Sequence, residues 1–136
     1  MPGITVKFEK GRITHTAEAA IVGGQVVMPG AGVRSAVPAT ADTSKPLGVA
    51  LTDAAPKATP APGMLYVGTD QVTVASAPAV VPVKSDGSAL PGDLVVVGTG
   101  AGVKKAAVES TAAQILGRVI EKNTDVDNTV LVRLGG

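Results

Sequence analysis

The last stretch of the chain has the plainest pattern. From Thr129 to Leu134, Val130, Val132 and Leu134 alternate with Leu131 and Arg133, the period of two that a strand with one buried face requires. Near the start, Ile4, Val6 and Phe8 alternate in the same way with Thr5, Lys7 and Glu9 until Gly11 interrupts. Between these ends the apolar runs are short and broken by Gly, Pro and polar clusters, which predicts short strands joined by tight turns.

Read in order, the pattern predicts strands over Gln25–Met28, Val33–Val37 and Leu47–Thr52. Pro29–Gly32 is a turn, Pro38–Pro46 a polar loop, and Gly48 marks a bulge or a close backbone approach. Ala54–Gly63 carries three prolines and little that packs, so it reads as an extended surface loop. Leu65–Val67 and Val72–Val74 are short strands around Gly68–Asp70. Ala79–Val83 is a strand that Pro78 and Pro82 push to an edge, and Ser85–Ser88 is a turn with the Asp-Gly pair common in hairpins. Asp93–Val97, Val103–Val108, Ile115–Glu121 and Thr129–Leu134 complete the strands. One helical turn is expected within Glu109–Gln114, and turns at Gly98–Gly102 and Asp125–Asn128.

The chain says much of this twice. Gly24-Gln25-Val26-Val27 matches Gly92-Asp93-Leu94-Val95, and Ala31–Arg34 matches Ala101–Lys104. Leu47-Gly48-Val49-Ala50-Leu51 matches Leu116-Gly117-Arg118-Val119-Ile120. The offset holds at about 69 residues throughout, the mark of a duplicated unit. The fold class expected is therefore all-β, a small β-barrel or sandwich built from two related halves, about 20–70 and 88–136. Residues 1–19 have no evident counterpart. They either add a strand to the sheet or form an N-terminal arm, and are assigned to an arm ahead of a single domain over 20–136.

Composition sharpens this picture. With 136 residues the chain is long enough for one domain with a real core. Phe8 and Tyr66 are its only aromatics and there is no Trp, so aliphatic side chains must fill the interior. Lys and Arg number 12 against 11 acids, which gives no electrostatic case for nucleic acid or an anionic membrane. The absence of cysteine excludes disulfides and thiolate chemistry. No apolar run approaches the roughly 20 residues of a membrane span, and MPGITVKFEKGR lacks a signal peptide's apolar region. Synthesis without export is expected.

Candidate chemistry is thin. Gly98–Lys104 has glycines like a phosphate loop but runs into a strand pattern rather than Gly-Lys-Ser/Thr opening a helix. Asp125–Asn128 starts like a calcium loop but lacks the Gly and the terminal Glu. His15 is the one histidine and no nucleophile elbow accompanies it. Lys7, Lys10 and Arg12 form a small basic cluster diluted by Glu9. No catalytic residue, cofactor site or metal site is assigned, and a non-enzymatic role is expected. Competing readings are a carbohydrate- or cell-surface-binding β module, for which two aromatics are a thin supply, and a small hydrolase using His15.

The order of the short motifs GGQVV, PLGVALTDA, PGDLVVV, GVKKA, ILGRVIE and the closing VLVRLGG resembles the capsid cement, or head decoration, proteins of tailed bacteriophages. The proline-rich loop and the leading segment depart from that likeness. The resemblance implies a protein on the exterior of the virion capsid, made in the host cytoplasm, that binds the outer surface of the assembled head. It implies the major capsid protein as partner and a homotrimer as the assembled form; the charge balance and the short apolar runs add the expectation of no nucleic-acid or membrane partner. Ile4, Val6, Phe8 and Arg12, on the one-sided leading segment, are the candidate capsid contacts.

Overall fold

The structure, a computed structural model, describes residues 12–56, 70–77, 79–122 and 129–135. Ten strands lie within them: β1 (Arg12–Ala17), β2 (Val26–Pro29), β3 (Ser35–Pro38), β4 (Gly48–Ala50), β5 (Gln71–Ala75), β6 (Val80–Lys84), β7 (Leu94–Val97), β8 (Val103–Lys105), β9 (Gly117–Lys122) and β10 (Thr129–Leu134). The only helical pieces among these residues are two 3-10 turns, Thr99–Ala101 and Ala112–Gln114. The second falls inside the expected helical turn, and Thr111 and Gln114 close it with a reciprocal capping box.

The first five strands form a closed barrel in the order β1-β3-β2-β4-β5, and the last five a sheet in the order β6-β10-β9-β7-β8. The two orders are the same circuit. β2 pairs antiparallel with β3 and β4, as β7 does with β8 and β9. β5 lies between β4 and β1, as β10 lies between β9 and β6. A parallel pairing of β1 with β3 closes the first barrel. In the second half a single parallel bridge, Ser85 to Val103, joins the two edges. Duplication therefore extends to the leading segment: Arg12–Ala17, within the residues assigned to an arm, is β1, and its structural counterpart is β6.

Interior positions repeat as well. Ala17, Ile21, Val27, Ala50, Val72 and Val74 are buried in the first barrel. In the second half Ala89, Val95, Val119, Val130 and Val132 occupy the places of the last five, in a core that also holds Val81, Val83 and Leu134. This second core takes in Val26, Val49 and Ala75 from the first half. Strands β2, β4 and β5 thus bury successive residues in opposite cores, as strands covered on both faces do. Valine does most of this work. Each fully buried valine stabilises by about 1.5–3 kcal/mol, an upper estimate because the unfolded chain is itself partly collapsed.

Several local expectations meet their physical reason here. A Cβ on Gly48 would run into the carbonyl oxygen of Ala75, so the close approach expected there is real. Strand β6 does lie at an edge of its sheet, with exposed Pro82 opposite Leu131. The Asp86-Gly87 pair makes a turn, Ser88 N donating to Asp86 Oδ1 at 2.9 Å, but not a hairpin: β6 pairs with β10, and β7 with β8 and β9. The expected strands at Ile4–Phe8 and Leu65–Val67, most of the proline-rich loop and the Asp125–Asn128 turn lie outside the described residues.

Candidate functional surface

The residues singled out for chemistry do not come together. His15 is buried on β1, its Nδ1 lying 3.1 Å from the carbonyl oxygen of Ile13 and its backbone opposite Val72. Its place in the second half is taken by Val83, opposite Val130. A site that accepts valine in one copy and histidine in the other is a packing site first. Gly98–Gly102 is a tight turn in which Gly98 N donates to the carbonyl of Gly102 at 2.9 Å. Gly100 and Ala101 adopt positive φ of 74° and 62°, and strand β8 follows, not a helix. Among the described residues no group of three His, Asp or Glu side chains is placed to hold a metal ion, and no helix is long and apolar enough to cross a membrane.

Two acids hold turns at equivalent points after β1 and β6. Glu18 N donates to the carbonyl of Ala36 and Asp86 N to that of Val103. The Glu18 carboxylate accepts from Gly32 N at 2.9 Å. That bond, with help from the Ser35 hydroxyl, holds its pKa below the ordinary glutamate value. The Ser88 hydroxyl does most to hold Asp86 below the ordinary aspartate value. Both carboxylates are structural anchors of loops.

What the surface offers is relief and exposed side chains. Val22 and Leu51 are exposed beside the Gly23-Gly24 turn, and Leu90 and Ile120 are exposed beside the equivalent Pro91-Gly92 turn. The two turns are built alike: Gln25 Oε1 accepts from Val22 N as Asp93 Oδ2 accepts from Leu90 N. The first pair lines a groove between the halves, whose far wall includes Pro82, Lys84 and Gly102.

One row of side chains differs between the halves. Across the first barrel, Arg12, Ala75, Val49 and Val26 lie side by side on β1, β5, β4 and β2. The matching row of the second half is Val80, Arg133, Arg118 and Leu94, on β6, β10, β9 and β7. The first row is buried except for Arg12. In the second, Val80, Arg133 and Arg118 are exposed and Leu94 half-buried. Arg12, one of the four candidate contacts, is thus an exposed residue at the end of an otherwise buried row. Ile4, Val6 and Phe8 lie outside the described residues. Arg118 and Arg133 were not flagged by the hydrophobic pattern, although the aligned anchors already set Arg118 against Val49.

The fold is a β unit present twice, closed as a barrel in the first half and as a five-stranded sheet in the second, and the comparisons with known proteins define its class. A family model described as "Structural cement protein (E217 gp24/Pam3 gp6)" matches residues 3–135, so the chain belongs to this family of phage structural cement proteins. Its role is accordingly structural and capsid-associated, and its place is the virion capsid. The fold is shared with the N base of the head fiber gp8.5 of bacteriophage phi29, seen in a crystal structure. The TM-score is 0.64 at 17% identity, over 91% of this chain and 92% of that one. No curated protein matches the chain.

Proposed function

We propose that this protein binds the outer surface of the assembled phage head, bridges neighbouring major capsid protein subunits and so stabilises the shell. The observation that carries the reading is the cement-family match over nearly the whole chain. The physics of cementing supports it. A ligand that binds only the assembled shell stabilises that shell by mass action, by about 2.7 kcal/mol per site at a hundredfold excess over Kd. Binding as a homotrimer adds effective concentration, since each further contact of a bound trimer is intramolecular. The protein acts without catalysis, cofactor, nucleic acid or membrane, and is made in the host cytoplasm before it joins the capsid.

The leading residues Ile4, Val6 and Phe8, with Arg12 at the start of β1, are proposed as capsid contacts. An apolar stripe at alternate positions of the sequence suits strand addition to an exposed sheet edge, where backbone hydrogen bonds supply affinity. Co-sedimentation tests both parts. Purified protein is expected to bind heads lacking it to saturation and to ignore unassembled major capsid protein. Removal of residues 1–11 is expected to weaken binding while the thermal midpoint of the barrels stays near that of the full chain. Equal binding to free subunits, or no binding to heads, overturns the function. Undiminished binding of the truncated chain overturns the assignment of Ile4, Val6 and Phe8, and undiminished binding of Arg12→Ala that of Arg12, leaving the proposed function standing.

A further inference from the structure

The row Val80–Arg133–Arg118–Leu94 presents a physical conflict. Arg118 and Arg133 are register partners on neighbouring antiparallel strands, so their side chains leave the same face of the sheet side by side. Like charges directly opposite one another destabilise a sheet. Both are exposed, and among the described residues the one ion pair is Lys104 with Asp42, at 3.0 Å. Arg118 Nη1 donates to the carbonyl of Gly92 at 2.7 Å, which steadies its guanidinium without neutralising it. On the same face stand Val80 and half-buried Leu94. Strand partners Pro82, Leu131 and Glu121 make the next row, Pro82 and Glu121 exposed and Leu131 half-buried.

The duplication shows that this row is not bound to be polar. At the same two positions the first half carries Val49 and Ala75, also register partners, and both are buried in the core that the second half completes. The same wall is therefore covered in one copy and open in the other, and the open copy carries two positive charges side by side among Val80, Leu94 and Leu131, with one acid, Glu121, in the adjoining row and not ion-paired to either arginine. Arginine forks match carboxylates in geometry and charge, and a partner's carboxylate between them would turn the repulsion into two attractions.

We propose that the outer wall formed by β6, β10, β9 and β7 is a docking face for a carboxylate-bearing segment of the capsid shell, with Arg118 and Arg133 as its charge-reading pair. This deepens the proposed function and rests on it. The segment would set one or two Asp or Glu side chains against the guanidiniums and aliphatic groups against Val80, Leu94 and Leu131.

The test uses the full chain and heads lacking it, with binding measured by co-sedimentation at several salt concentrations. The double variant Arg118→Glu/Arg133→Glu is expected to bind at least about tenfold more weakly than the wild type and to lose most of the salt dependence. Lys45→Glu, which makes the same kind of charge change in an exposed loop, is expected to bind as the wild type does. A third variant, Arg133→Thr, removes the repulsion. Its thermal midpoint as free protein is expected to equal or exceed the wild type's while its binding falls. Wild-type-like binding by the double variant overturns the inference and leaves the proposed function standing. A lower midpoint for Arg133→Thr overturns the claim that the pair is strained in the free protein. Failure of wild type and Lys45→Glu alike to bind heads overturns the proposed function, and the shell as occupant with it. Self-association of the free wild type that the double variant abolishes assigns the wall to a second copy of the chain instead.

Discussion

Gly48 and Gly117 are the same residue in two copies: a Cβ on the first would strike the carbonyl oxygen of Ala75, and on the second that of Arg133. The next nearest groups also correspond, Val74 Cγ1 and Val132 Cγ1, each at 3.0 Å. Neither glycine has positive φ, so its conservation of shape is a matter of space, not of backbone conformation. Gly48→Ala and Gly117→Ala are each expected to destabilise by about 1–3 kcal/mol, because a neighbouring strand must move. The thermal midpoint should fall by roughly 3–10 °C in each. Gly87, which has positive φ and open space around it, is the contrast. Gly87→Ala carries only a left-handed backbone penalty of about 1–2 kcal/mol. Denaturant midpoints check all three.

Because Val26, Val49 and Ala75 of the first barrel lie in the core of the second half, the halves are expected to unfold together. Val49→Ala should destabilise by about 1–3 kcal/mol, comparably to Val119→Ala inside the second half. Far-UV circular dichroism and hydrogen exchange of β1 and β10 amides should report one coincident transition. Two separated transitions would show that the shared core does not couple the barrels.

Glu18 gives a pH dependence with a defined sign. Its folded pKa lies below its unfolded one, chiefly through the Gly32 amide. Its contribution to stability is therefore complete above the ordinary glutamate range and is lost as pH falls through that range and then through the lowered folded value. Asp86 acts in the same sense through Ser88. The urea midpoint of the wild type should drop on acidification, and Glu18→Gln or Asp86→Asn should drop less steeply. A variant parallel to the wild type from neutral pH down to the acid limb would remove that carboxylate from the account.

His15→Val puts into the first barrel the residue that the second carries at Val83. The variant is expected to fold, to melt within about 5 °C of the wild type, and to bind heads unchanged. Loss of head binding in a variant that still folds would give His15 a role beyond packing.

Much of this was legible in the chain. The alternation over Thr129–Leu134 gave that strand at its observed bounds, and the Leu-Gly-Val and Leu-Gly-Arg anchors located both strands that need glycine. The duplication was visible at the Gly24/Gly92 turn and at the Gly48/Gly117 anchor, since those positions tolerate few residues, but the match of Ala31–Arg34 to Ala101–Lys104 is three residues out: the strand register makes Ala36, not Val33, the counterpart of Val103. The duplication was invisible at the start, where β1 reads Arg-Ile-Thr-His-Thr-Ala and β6 reads Val-Val-Pro-Val-Lys: an edge-prone strand and a barrel-closing one share only alternation. Burial on both faces was hidden too, because runs as short as Val26-Val27, Val49-Ala50 and Val74-Ala75 look alike whether one face or two are covered. The Asp86-Gly87 pair suggested a hairpin because local turn chemistry does not encode which strand comes next in the sheet. At the surface, only its place in the leading segment points to Arg12. The pairing of Arg118 with Arg133 needed the strand register.

The cementing role itself is tested most directly by calorimetry of heads with and without saturating protein. The disruption temperature of decorated heads is expected to rise, and to rise further with protein concentration as linkage to the assembled form requires. Heads that bind the protein to saturation yet come apart at the same temperature as bare heads would contradict it.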